Sequence, residues 1–469
     1  MDIIGRTSEI QELEKHYYSN KPELVIVYGR RRVGKTYLIK ELFKNKFAFY
    51  FTGTVNVKKA TNLANFDKAI KEFGGDIKAS SKTWSEAFDK LKILLKRNTN
   101  EKKVIFIDEM PWLDTRNSDF LAAFDYFWNS WASSNPEILF IGCGSATSWI
   151  TKNFFKNRGG LHNRVTKRIH LAPFTIGECE DFFKTRNIVI TRYQLAECYM
   201  IFGGIPYYLD LFDKSLSFSQ NVDKICFSDN APLRYEFDEL YMSLFNNSHR
   251  HIKIVEILST KKGGMSRNDI CEAGNIPPNG HITTVLSELE QCNFIEKYTD
   301  FTRKKKNSYY LLKDPFTLFY LRFMKNNNTK DEYFWTNYAD DSGHRTWCGH
   351  AFELLCRMHL HKIKEKLGIP GVSTEVASWH SKNSKPGAQI DLLISRKDGV
   401  INLCEMKYSK HPYEITKSEA DALERRKMVF IMETGTKYAI HITMVTTFGL
   451  AKKGYFGIAQ SEVTADDLF

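Results

Sequence analysis

An α/β fold with a parallel sheet is predicted for residues 1–175 by three observations. Apolar runs that read as buried strands recur at 24–28 (LVIVY), Phe47–Thr52, Val104–Asp108, Ile138–Cys143 and Arg168–Leu171. Helical stretches lie between them, starting with YLIKELF just after the first run. Strands alternating with helices build a parallel sheet covered on both faces. Composition agrees, because 42% hydrophobic and 14% aromatic residues supply real cores. A chain of 469 residues suggests about three domains.

The first strand runs into Gly29-Arg-Arg-Arg-Val-Gly34-Lys35-Thr36, which fits G-x-x-x-x-G-K-[ST] between a strand and a helix. The glycines let successive backbone N–H groups turn inward around phosphate oxygens, and the helix N-terminus adds its positive dipole end. That is the cradle of a P-loop NTPase, with ATP and Mg²⁺ as cofactors. Lys35 is expected to reach the β- and γ-phosphates and Thr36 to ligate Mg²⁺, with Gly29, Arg32, Gly34 and Tyr37 also at the nucleotide. A chance glycine turn is the competing reading, and the strand–loop–helix context weighs against it.

The third strand ends in Asp108-Glu109. Asp108 is expected to hold Mg²⁺ and Glu109 to polarise the attacking water, so hydrolysis is expected as well as binding. Ser145 follows the next strand as a polar sensor of the γ-phosphate, although a Ser after Gly is often only a turn residue. Arg164 leads into the last strand and is expected to act as a finger on a neighbouring subunit, which implies a homo-oligomer formed with ATP.

Helical periodicity dominates from 176 to 247. Residues 248–325 then give three short helical segments and a hairpin, the order of a winged helix. Its recognition helix would be His281–Gln291, and its tip Arg303–Lys306 suits phosphate, yet Glu288 and Glu290 on that helix would repel DNA. A polar linker, Lys325–Lys330, separates a last α/β segment at 331–469, which begins with a helix over 347–368.

In this last segment the turn centred on Asp398 pairs strands QIDLLISR and VINLCEMKY so that Asp391 faces Glu405. Side-chain alternation then puts Asp391, Glu405 and Lys407 on one face of central strands, with Gln389 beside them. Two carboxylates and a lysine buried together suit Mg²⁺-dependent phosphodiester cleavage: the acids bind metal and the lysine orients water. The competing reading is a structural ion-pair network.

GRRRVGKT, the FIDE acids, the strand-end GSA and Phe202-Gly203-Gly204-Ile205-Pro206 followed by YYL resemble the archaeal-type ATPases of the AAA/STAND superfamily. The resemblance spans residues 1–330 in order and implies that 176–247 is a helical lid in which Gly204 and Pro206 sense nucleotide. D-x₁₃-E-x-K resembles the PD-(D/E)XK nuclease fold of restriction endonucleases, with Ile390 in place of the family's proline. It implies that Glu353, in the preceding helix, is a further metal ligand beside Asp391 and Glu405. The expected chain is thus a P-loop sheet, helical lid, winged helix and restriction-endonuclease-like α/β domain.

A net charge of +12 and pI near 9.0 favour a polyanionic partner, DNA being the usual one, against the alternative of a Lys-rich solvated surface. Nine scattered cysteines without a C-x-x-C pair indicate neither a disulfide framework nor a zinc site. No long apolar run or leader pattern is present, so a cytoplasmic protein without membrane contact is expected. Two functions compete: an ATPase that regulates a DNA nuclease domain, and a STAND-type switch or scaffold whose nuclease fold is inactive.

Overall fold

A computed structural model describes residues 3–469 except 116, 156–159, 162, 246, 302–307, 328, 330, 339–340 and 382–386. The chain forms two compact units, Met1–Pro173 and Phe174–Phe469.

The first unit holds α1 (Thr7–Tyr17), β1 (Glu23–Tyr28), α2 (Lys35–Leu42), β2 (Phe47–Thr52), α3 (Lys59–Glu72), α4 (Trp84–Arg97), β3 (Lys103–Asp108), α5 (Phe120–Ser130), β4 (Ile138–Gly144), α6 (Thr147–Ile150) and β5 (Lys167–His170). All five strands are parallel, in the order β2-β3-β4-β1-β5. They match the five apolar runs to within a residue or two. Burial explains them: β4 is buried at every position, and β1 and β3 at five of six. Aromatic rings dominate the core on one side, where Phe66, Trp84, Phe88, Phe120 and Phe124 meet in tilted and edge-on contacts. α4 starts where the Thr83 hydroxyl accepts the Glu86 N–H, a side-chain N-cap. Because β4 lies between β1 and β3, the segments leaving all three strands emerge along one edge of the sheet, the usual position of a ligand site in such sheets.

The second unit opens with α7 (Ile176–Thr185), α8 (Arg192–Phe202), α9 (Pro206–Leu209), α10 (Phe218–Cys226) and α11 (Glu236–Leu244). It continues through α12 (Ser248–Ser259), β6 (Met265–Ser266), α13 (Arg267–Gly274), α14 (Gly280–Gln291), β7 (Ile295–Thr299) and β8 (Ser308–Leu312). The three strands form an antiparallel sheet ordered β6-β8-β7. The expected hairpin and three helices are present. β6 was not foreseen, because two residues carry no periodicity. The basic tip Arg303–Lys306 lies outside the described residues.

After α15 (Pro315–Phe319) and α16 (Phe334–Tyr338) come α17 (Ser342–Met358), α18 (Leu360–Lys366), β9 (Thr374–His380), β10 (Gln389–Arg396), β11 (Val400–Lys407), α19 (Lys417–Thr434), β12 (Ala439–Thr446) and β13 (Ser461–Thr464). Their sheet is ordered β13-β12-β11-β10-β9, which makes β10 and β11 interior strands as expected. The single helix expected over 347–368 is instead two, broken at His359. His359 is 1% exposed; one ring nitrogen meets Leu355 O at 2.9 Å and the other accepts the Ile176 N–H at 3.0 Å. All nine cysteines are buried and none forms a disulfide. Among the described residues no helix is long and apolar enough to cross a membrane.

Candidate nucleotide site

Backbone geometry shapes the loop between β1 and α2. Gly29 (φ 149°) lies so close to the end of the sheet that a Cβ would sit 2.3 Å from Leu171 O. Gly34 (φ 89°) precedes the first turn of α2, and a Cβ there would meet nothing within 4 Å. Arg32 (φ 71°) and Glu109 (φ 48°) also adopt the left-handed region. Such a conformation costs a non-glycine residue about 1–3 kcal/mol and concentrates at working sites. A clear contrast follows. Gly29→Ala is expected to lower the melting temperature and abolish nucleotide binding, because carbonyl and Cβ cannot share the space. Gly34→Ala pays only the backbone strain of about 1–2 kcal/mol. Equal melting temperatures for the two variants would contradict this.

Lys35 is only 5% exposed, and its Nζ donates to Gly29 O (2.9 Å) and Arg30 O (2.8 Å), so a buried cation is held by carbonyls of its own loop. One residue on, Thr36 Oγ1 donates to Asp108 Oδ2 at 2.7 Å, and Asp108 Oδ1 accepts the Glu109 N–H at 3.0 Å. Glu109 in turn accepts from the Ser145 N–H (3.1 Å) and hydroxyl (3.0 Å). Burial pushes the Glu109 carboxyl above the ordinary range; Lys35 opposes the rise and Asp108 adds to it. Lys35, Thr36, Asp108, Glu109 and Ser145 are thus linked at the ends of β1, β3 and β4. They suit a Mg-nucleotide: open space at Gly34, a cation with exchangeable partners, and a hydroxyl–carboxylate oxygen pair that fits a hard metal. Tyr37 is 43% exposed, and Arg164 is exposed with its N–H on Leu161 O.

One residue escaped the sequence reading. Arg6 is buried, has φ 59° at the start of α1, and donates to Val33 O inside the phosphate loop at 3.2 Å. The available cue was an arginine where a helix start favours Ser, Thr, Asp or Asn.

Gly204 and Pro206 belong to the second unit. Gly204 (φ 67°) accepts the Phe174 N–H at 2.8 Å, and a Cβ on it would lie 2.2 Å from Phe174 O; Pro206 is the first residue of α9.

The C-terminal constellation is divided. The β10–β11 register has the expected sum, with Leu392 opposite Cys404 and Leu393 opposite Leu403. However, the β9 pairing slips by one residue between Ile390 and Leu393. This bulge places both Ile390 and Leu393 in the cluster with Leu403 and α19's Phe430, which strict alternation would forbid. Asp391 is turned the other way, into a cavity lined by His350, Glu353 and Arg357 of α17. Glu405 stays on the α19 side, bound to Lys407 (2.9 Å) and Arg426 (2.8 Å). The expected shared face for Asp391, Glu405 and Lys407 is therefore corrected: a bulge separates the acids, and two cations already neutralise Glu405. Of the expected metal ligands, Glu353 and Asp391 come together and Glu405 does not. Among the described residues no three His, Cys, Asp or Glu gather closely enough to hold a metal ion.

A five-stranded parallel sheet carrying this loop and a strand-end Asp-Glu pair defines the class: an ATP-binding P-loop NTPase. Residues 3–212 match the model of an ATPase domain family found predominantly in Archaea. An uncharacterized protein of Methanocaldococcus jannaschii is 25% identical over 445 residues, 93% of this chain and 95% of the relative. An uncharacterized ATP-binding protein of the same archaeon is 51% identical over 44 residues, 9% of this chain and 75% of its own length. The Walker-type ATPase of Pyrococcus abyssi shares the fold, with a TM-score of 0.50 at 19% identity over 69% of this chain and 97% of that one.

Proposed function

We propose that this chain hydrolyses Mg·ATP and that the nucleotide state switches its second unit between forms that engage a partner. The observation that carries the reading is Glu109, a half-buried carboxylate just after the end of β3, beside the Thr36–Asp108 pair and gripped by Ser145. Lys35 exchanges its two carbonyls for phosphate oxygens, and loop N–H groups orient the phosphates. Thr36 and Asp108 would hold Mg²⁺, which when bound neutralises phosphate charge. Glu109, once ionised, accepts the proton of the attacking water, while Ser145 fixes the direction of its carboxylate. Arg164, being exposed, is read as reaching the nucleotide of a neighbouring copy.

In the second unit we read 176–247 as a lid in which Gly204 and Pro206 respond to nucleotide, 248–325 as a winged helix and 331–469 as a PD-(D/E)XK-like domain. The net charge of +12 supports DNA as a partner. The separation of Asp391 from Glu405 favours a switch that binds without cutting. The second reading, an ATP-regulated nuclease, is favoured by one observation: Glu353 and Asp391 line a common cavity. One assay series tests both, measuring ATP hydrolysis and cleavage of single-stranded and duplex DNA with Mg²⁺ or Mn²⁺ for wild type, Lys35→Ala and Asp391→Ala. Hydrolysis lost only in Lys35→Ala, without cleavage, is the expected result. Cleavage that disappears in Asp391→Ala would establish the nuclease, and a wild type without hydrolysis would overturn the proposal.

A further inference from the structure

A groove of about 490 Å³ runs between the first half of α12, the turn after α13 and the start of α14. Ile254, Ile282 and Val285 form its floor, and Ile276 and Pro277 one wall. His249, Arg250, Lys253 and His281 stand exposed around it, with the Arg250 guanidinium against His281 Nε2, and no acid is among the described lining residues. A cationic rim over an apolar floor matches an acidic segment with large apolar side chains. A phosphate backbone would satisfy the rim and leave the floor uncovered.

The same unit displays such a segment. α11 buries Phe237, Leu240, Tyr241 and Leu244, and its outer face exposes Asp238 and Glu239 between Tyr235 (69% exposed) and Met242 (62%). Those two apolar side chains are seven residues apart, about two turns or 10 Å along the helix. The buried face of α11 is packed in its own chain, while Tyr235, Asp238 and Met242 stay exposed on the outer side.

We infer that α11 of a second copy of this chain docks in the α12–α14 groove, its acids on the basic rim and Tyr235 and Met242 over the apolar floor. Donor and acceptor surfaces differ, so the contact is heterologous and each copy can both give and receive, forming rings or head-to-tail chains. This surface is independent of how Arg164 is read.

Sedimentation velocity of the full chain over a concentration series, with and without ATP, tests this. Wild type is expected to form species beyond the dimer. The charge reversals R250E/K253E and D238K/E239K are each expected to weaken assembly at least tenfold, with unchanged circular dichroism. Mixing the two variants restores opposite charges at both kinds of contact, acidic α11 on the basic groove and basic α11 on the acidic groove, so assembly should return in the mixture; this also shows that both variants are folded. A wild type that stays monomeric, reversals that assemble as wild type does, or a mixture that stays monomeric would overturn the inference. Reversal of the groove that abolishes duplex DNA binding while assembly persists would make it a nucleic-acid surface instead, which also overturns it.

Discussion

Replacing Glu109 by Gln is expected to leave ATP binding intact and to slow hydrolysis by about 10²–10⁴-fold, the usual contribution of a positioned general base. Binding survives because the phosphate contacts belong to the loop, Lys35 and Thr36, and Gln keeps the size and the acceptor oxygen that meet Ser145. Turnover falls because an amide cannot take the proton. The pH dependence has a definite sign. Burial raises the Glu109 carboxyl, and the base works only when ionised, so wild-type activity should fall on acidification at a pH above the ordinary carboxylate range. The hydrogen bonds from Ser145 favour the ionised form. Ser145→Ala should therefore move that acid limb to still higher pH. Steady-state hydrolysis against pH, with nucleotide affinity measured separately, checks both statements. A Gln variant that turns over at the wild-type rate, or a Ser145→Ala limb shifted to lower pH, would remove Glu109 from the role of base.

What could be read from the chain and what could not divide along physical lines. The phosphate loop was legible because its chemistry is contiguous: Gly29 to Thr36 fixes turn, cation and hydroxyl within eight neighbouring residues. Asp108 and Glu109 were legible because four apolar residues before them announce a buried strand end. The grip of Ser145 on Glu109 was not, since it joins residues 36 apart and depends on β4 lying next to β3. In the C-terminal sheet the hairpin register followed from the turn, whereas the faces did not. A one-residue bulge against β9 leaves no mark in hydrophobicity, yet it reverses Asp391. β9 itself was passed over because TEVASWH carries few apolar residues; Ala377 and Trp379 do the packing.

The break at His359 leads to the other large effect. Helical periodicity runs through residue 359 without interruption, so nothing local marks the end of α17. His359 stops there because its imidazole is committed elsewhere: Nδ1 meets Leu355 O, Nε2 accepts the Ile176 N–H, and the ring packs edge-on against Tyr199. An acceptor at Nε2 requires the neutral ring. Burial accordingly lowers the His359 pKa to about 4, against the ordinary value near 6.5. The unfolded chain then binds the proton that the folded chain refuses, so the stabilising difference is fully present above about pH 6.5 and is lost as pH falls towards 4. A depression of about 2.5 units corresponds to about 3 kcal/mol at the acid end. Gln at 359 can accept the Ile176 N–H and does not titrate. Urea unfolding of the second unit at pH 7 and pH 4.5 should show wild type losing about 2–3 kcal/mol more than His359→Gln, a double difference in which other titrating groups cancel. Equal losses in the two proteins would mean that the folded state accommodates the charged ring, with the Ile176 contact broken and remade at no cost.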